Sequence, residues 1–195
     1  MIETEIKIPF AGSAQEAREL IERHGFSVSE ARVLESDQTF DRPGYELRAA
    51  DQLLRLRRSG SRAMVTYKGP TNRERYKSRE EIEFDVSDPA AFELVLDRLG
   101  YQPRFRYEKY RTIFREPGGQ GVVTIDETPI GIFLELEGEA AWIDRVAARL
   151  GFSTAEYCTA SYGALYQEYL RAHEGASTNM VFGTGPSPEK QRKDT

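Results

Sequence analysis

Along much of this chain apolar and polar side chains alternate, and in four stretches the apolar spacing changes to three or four residues. A period of two marks β-strands and the wider spacing marks helices. Residues 1–8 alternate cleanly, and further strands are expected near 28–40, 53–58, 63–68, 77–86, 104–115, 121–126 and 132–137. The first helix opens on Ser13 and Glu16, the two ends of a capping box, and closes near His24, where Gly25 can take the left-handed conformation. Asp88 followed by Pro89 starts a second helix, which ends at Leu99-Gly100. Helices over 140–150 and 161–171 complete the pattern. A weak repeat runs through it. Strands carrying Glu3/Glu5, Glu81/Glu83 and Glu135/Glu137 each lead into a helix that ends in glycine plus an aromatic, at Gly25-Phe26, Gly100-Tyr101 and Gly151-Phe152.

The alternation also sorts the charges. Residues two apart on a strand share a face. Glu3, Glu5 and Lys7 therefore oppose Ile2, Thr4, Ile6 and Ile8, and Arg55 and Arg57 oppose Leu54 and Leu56. Arg79, Glu81 and Glu83 oppose Ile82 and Phe84; Lys109 stands with Arg111; Thr124 and Asp126 oppose Val123 and Ile125; Glu135 and Glu137 oppose Leu134 and Leu136. A sheet with one solvated face explains any single strand. The set is harder to explain that way, because like charges side by side repel and a merely soluble face intersperses its signs. Acid pairs on some strands and basic pairs on others suit two halves of one site. Carboxylates without histidine or cysteine suit a hard cation such as magnesium or manganese, and arginine and lysine suit phosphate oxygens. A barrel with a polar lumen and an apolar outside covered by helices would gather them, and closure would remove the sheet's edges.

Composition narrows the class. The 195 residues suggest one domain, with 39% hydrophobic and 30% charged side chains. The net charge of −5, from 27 basic and 32 acidic residues, argues against nucleic acid as a partner. The single Cys158 can form no internal disulfide and points to a reducing, cytoplasmic compartment. No apolar run has the roughly 18 residues of a membrane span, and the acidic N-terminus does not resemble a secretory signal, so no membrane association is expected. His24 and His173 are too few for a histidine metal site. Trp142, Phe105, Tyr107 and Tyr110 are expected to pack. The domain is expected to span 1–172. The remainder, 173–195, reads as a mostly disordered tail in which Met180-Val181-Phe182 alone could dock.

Glu3-Thr4-Glu5-Ile6-Lys7 resembles the E-x-E-x-K signature of the CYTH superfamily, the triphosphate tunnel metalloenzymes that include class IV adenylyl cyclases and thiamine triphosphatases. Later motifs follow in the family's order: Leu54-Arg55-Leu56-Arg57, Thr66-Tyr67-Lys68-Gly69-Pro70, Arg79 through Glu83, Glu108-Lys109-Tyr110-Arg111, Asp126, Gly131 through Glu137, and Ser161-Tyr162. The resemblance spans residues 1–171. It implies an α+β fold, a closed antiparallel eight-stranded β-barrel forming a tunnel, with helices outside. It implies triphosphate binding by Arg55, Arg57, Lys68, Lys109 and Arg111, with Arg79 added, and magnesium or manganese bound by Glu3, Glu5, Glu135, Glu137 and Asp126. Glu81 and Glu83 would hold a second metal or orient the nucleophile, and Lys7 would contact phosphate or transfer a proton.

Two reactions share these parts. Water aligned on the terminal phosphorus makes a triphosphatase; a ribose 3′-hydroxyl aligned on the α-phosphorus makes a cyclase that releases pyrophosphate. The full pair Glu135/Glu137 resembles the hydrolase pattern, so hydrolysis of a small-molecule triphosphate is the expected function. Lys68-Gly69-Pro70 and the stretch from Leu99-Gly100-Tyr101 to Lys109 and Arg111 resemble the cyclase branch, which keeps adenylyl cyclase as the alternative, with a homodimer compatible with it. A nucleotide or polyphosphate sensor is the non-enzymatic reading.

Overall fold

A computed structural model describes residues 2–73 and 75–183. The strands are β1 (Ile2–Phe10), β2 (Ser27–Asp41), β3 (Leu53–Ser59), β4 (Arg62–Lys68), β5 (Asn72–Arg73), β6 (Lys77–Asp85), β7 (Gln102–Arg115), β8 (Val122–Thr128) and β9 (Gly131–Glu137). The helices are α1 (Ala14–Arg23), α2 (Glu46–Ala49), α3 (Pro89–Arg98), α4 (Ala140–Arg149) and α5 (Tyr162–Ala172), with a 3-10 turn over Thr154–Glu156. The order β1-β9-β8-β7-β2-β3-β4-β6 is antiparallel throughout, and β6 pairs back onto β1, so eight strands close a barrel while β5 adds a short rung to β6. This is the fold class expected from the sequence. The short α2 and β5 were not.

Local chemistry sets the ends of the helices. Ser13 Oγ accepts from the Glu16 amide at 3.2 Å while Glu16 accepts from the Ser13 amide at 2.7 Å, completing the box that starts α1. The Asp88 carboxylate accepts from the amides of Ala90 and Ala91 ahead of α3. Gly25, Gly100 and Gly151 stop α1, α3 and α4 at φ of 88°, 83° and 91°.

The apolar faces of the strands point outward into helices. Ile6, Ile8, Val123, Ile125, Leu134 and Leu136 pack under α1 and α4 against Ile21, Ile143 and Val146, and all of these are buried. A second cluster under α3 joins Phe40, Leu56, Ala63 and Val65 to Leu96. Trp142 packs in the first cluster, as expected, and turns its indole N–H to Glu116 at 3.0 Å. Among the described residues no helix is long and apolar enough to cross a membrane.

A third cluster, of Tyr107, Phe133, Tyr162, Tyr166 and Met180, ties α5 to the barrel. The β7–β8 ladder covers Tyr110 to Phe114, and beyond it the edge of β7 is taken by the chain after α5. Met180 forms a parallel bridge to Tyr107; its amide donates to the Arg106 carbonyl at 3.0 Å and its carbonyl accepts from the Glu108 amide at 2.8 Å. Met180 is fully buried. Ordered contacts thus continue past Ala172, where the sequence reading ends the domain, as far as Phe182, whose ring lies 5.1 Å from that of Tyr110. Residues 184–195 of the expected tail lie outside the described residues. Replacing Met180 with alanine leaves a cavity in this cluster and should cost about 2–5 kcal/mol of unfolding free energy. Denaturant titration checks this, and a midpoint equal to wild type would mean that the segment adds nothing to the fold.

Candidate active site

The faces turned away from the helices meet inside the barrel. A cavity of about 990 Å³ is lined by all the charged residues proposed from the sequence except Asp126. Strand alternation delivers them in rows: Glu3, Glu5 and Lys7 from β1, Arg55 and Arg57 from β3, Lys68 from β4, Arg79, Glu81 and Glu83 from β6, Lys109 and Arg111 from β7, and Glu135 and Glu137 from β9.

Most of the cations inside meet an acid. Lys7 lies 3.1 Å from both Glu5 and Glu135, and Lys68 lies 2.7 Å from both Glu3 and Glu81. Arg57 binds Asp37 at 2.8 Å and Glu35 at 3.1 Å. Arg55 donates to Thr66 at 2.8 Å and to Glu83 at 3.3 Å. Asp126 sits behind the lining, fully buried, accepting from Lys109 at 2.7 Å, from Arg111 at 2.7 and 2.6 Å and from the Tyr162 hydroxyl at 2.7 Å. Its geometry is that of a residue fixing two cations and a tyrosine. Arg111 also bonds Glu135.

Three contributors went unread in the sequence, and a fourth, Tyr162, was noted only as part of a motif. Glu35 and Asp37 of β2 anchor Arg57. Lys77 is buried and ion-paired with Glu5, its cross-strand neighbour in the β1–β6 ladder. Tyr162 is buried with the ammoniums of Lys7 and Lys109 5.3 and 5.2 Å from its ring centroid. The signal for Lys77 was present, since it stands two residues before Arg79 on the same face.

Two kinds of carboxylate result. Burial, the largest single influence, would raise Glu5 and Glu135, yet the cations together outweigh it, Lys7 with Lys77 at Glu5 and Lys7 with Arg111 and Lys109 at Glu135, and both are held well below the usual range. Lys7 is correspondingly held well above its ordinary value, burial being outweighed by Glu135 and Glu5. Glu137 forms no ion pair among the described residues; burial first, then Glu3 and Glu5, push it up to about 7. Glu81 is pushed up to about 8, by burial and then by its hydrogen bond with Glu3. Lys77 is pushed down to about 8 by burial and by Lys7.

The β1–β9 register sets Glu5 directly across from Glu137, and like charges so placed repel. Glu3, Glu5 and Glu137 thus form an acidic corner made entirely of oxygen donors, which fits a hard divalent cation. Among the described residues no three acids already converge as a ligand shell, because lysines hold Glu3 and Glu5.

A sequence model of the CYTH domain matches residues 1–150. The chain belongs to the CYTH family. A protein of Methanocaldococcus jannaschii, named as a putative adenylate cyclase, is 31% identical over 137 residues, covering 70% of this CYTH chain and 77% of that one. A Pyrococcus horikoshii protein of solved structure is 26% identical, with a TM-score of 0.71 over 86% of this chain and 99% of that one. A Hippeastrum protein, named as a putative adenylyl cyclase and described as having a dominant triphosphatase activity, shares the fold at 15% identity, with a TM-score of 0.64 over 86% of this chain and 95% of that one. In this CYTH chain α5 and Met180 lie beyond the matched residues.

The raised Glu137 carboxyl has a consequence for stability. The folded state holds a proton there that the unfolded state has released, so in metal-free buffer stability falls as pH rises from about 4.5 through about 7. Glu137→Gln should raise the melting temperature at pH 8 in chelator and leave it unchanged at pH 5. Magnesium or manganese should stabilise the wild type at pH 8 more than the variant. Equal melting of the two proteins at both pH values and with metal would contradict the acidic corner.

Proposed function

We propose that this protein hydrolyses a small triphosphate-bearing substrate, with magnesium or manganese, inside the barrel cavity. The observation that carries the reading is the meeting of Arg55, Arg57, Lys68, Lys109 and Arg111 with the acidic corner of Glu3, Glu5 and Glu137 in one cavity. Phosphoryl transfer asks for positioning and neutralisation more than for covalent help. Arg55, Arg57, Lys109 and Arg111 are preset by Asp37, Glu35 and Asp126, so they receive phosphate oxygens without searching for a conformation. Arg79 extends this cationic wall toward Glu3, its cross-strand partner. A divalent ion held by Glu3, Glu5, Glu135 and Glu137 would supply Lewis-acid neutralisation of the phosphate oxygens. Lys7 holds its proton too firmly to shuttle it, which favours the phosphate-contact role. Glu83 accepts from Thr66 at 2.7 Å and stays ionised, which suits it, beside Glu81, to orient the attacking water.

The second reading, adenylyl cyclase, draws on the name of the 31% identical relative and on Phe105 and Tyr107, whose rings stack 5.5 Å apart on the cavity wall and could receive a base. The dominant triphosphatase activity attributed to the Hippeastrum protein favours the first. Cys158, with no partner cysteine, supports the cytoplasmic setting we propose.

Product analysis with magnesium or manganese, offering inorganic triphosphate, thiamine triphosphate and ATP in parallel, tests the choice. Orthophosphate release is expected; cyclic AMP with pyrophosphate would establish the cyclase, and no product from any of them would overturn both. Glu137→Gln should reduce kcat/KM about 100-fold or more. It is a cleaner variant than Glu5→Gln, which would leave Lys7 and Lys77 short of a counter-ion in a buried site.

A further inference from the structure

Among the described residues six buried side-chain atoms lack a hydrogen-bond partner, and three of them, Arg55 Nε, Arg79 Nε and Thr124 Oγ, belong to residues that line the cavity. Arg55 and Arg79 are already assigned to phosphate by their place in the motifs. Thr124 has no assignment.

Its position is specific. Thr124 is 3% exposed. In the ladders of β8 it pairs with Ile113 of β7 on one side and with Glu135 of β9 on the other. On the cavity face Arg111 is two residues from Ile113, and Glu137 is two residues from Glu135. The hydroxyl therefore stands on the seam between the cationic wall and the acidic corner, a neutral polar side chain that β8 places between the two rows. A hydroxyl can donate to an anion and accept from a water at the same time. Valine would fill the same space on a strand at no polar cost, since a buried hydroxyl without a partner destabilises a fold. A threonine here keeps a hydroxyl that no side chain or backbone group among the described residues engages, at a position lining the cavity.

We propose that Thr124 is a further substrate-binding residue, whose hydroxyl donates to a phosphate oxygen of the bound triphosphate where the cationic wall meets the acidic corner. The inference rests on the triphosphate reading above. Hydroxyl-to-anion bonds lie among the stronger side-chain hydrogen bonds, so their loss is expected in affinity rather than in folding.

The test is calorimetric titration with inorganic triphosphate in chelator, steady-state kinetics with magnesium, and a thermal melt, on wild type, Thr124→Val and Thr124→Ser. Thr124→Val should weaken the Kd for triphosphate and lower kcat/KM about 10-fold each, with a melting temperature equal to or above wild type. Thr124→Ser should recover most of the affinity. A purely structural role would instead lower the melting temperature and leave Kd unmoved, which overturns the proposal. Wild type that binds triphosphate as tightly as a folded Thr124→Val overturns this inference alone. Wild type that binds no triphosphate overturns the functional reading and this inference together. Should Thr124→Val fold poorly, Thr124→Ala serves in its place with the same expectations for Kd.

Discussion

The whole molecule depends on keeping charge inside a barrel. Most folded domains bury apolar side chains and expose charge; here the apolar faces of the strands point out into α1, α3 and α4, and the charged faces point in. Removing an ion from water costs several kcal/mol even after relaxation, and attraction to a partner offsets this only with good geometry. The barrel meets that condition by antiparallel register, which brings opposite charges together across strands: Glu5 beside Lys77, Lys7 beside Glu135, Glu3 beside Arg79, Arg111 beside Asp126. Apolar packing outside then supplies the stability that an ionic interior does not.

The exceptions to pairing are more informative than the pairs. Glu5 and Glu137 face each other with like charge, and Glu137 has no ion-pair partner among the described residues. An arrangement selected for stability alone would place a cation or an apolar side chain there. Under the proposed function the imbalance has a use, because an incoming cation and polyanion settle against charges that are already fixed in place. The lysines that hold Glu3 and Glu5 would become available to phosphate if those carboxylates turned to a metal. This exchange lets one set of side chains serve the resting protein and the loaded one.

Period-two alternation was enough to sort Glu3, Glu5, Arg55, Arg57, Glu135 and Glu137 onto common faces, because side-chain direction in a strand is set by parity. Parity says nothing about which strands are neighbours. Lys77 became a partner of Glu5 only through the closing of β6 on β1, and Asp37 a partner of Arg57 only through the β2–β3 ladder. Tyr162 belongs to a helix, and its placement under Lys7 and Lys109 depends on how α5 docks. Asp126 was legible as an inward acid, yet its contacts with Lys109, Arg111 and Tyr162 emerged only from three-dimensional packing. The Met180 segment fills an edge of β7 that β8 leaves open, an opportunity that a one-dimensional pattern does not display.

Hydrolysis and cyclisation would make the same two demands on such a barrel. Both reactions place a triphosphate on a cationic wall and need charge neutralised beside it, and both demands are met by residues that the barrel itself holds rigid. They differ in the nucleophile and in the phosphorus it reaches. Under the proposed function that difference would be decided by the few groups along the cavity that are neither cation nor paired acid: Glu137, Thr124 and the stacked rings of Phe105 and Tyr107. Changes there leave the ionic framework intact, so chemistry can shift while the fold is retained. Apolar packing holds the barrel together and the paired charges fix its lining, which under the proposed function would leave the unpaired groups to decide the chemistry.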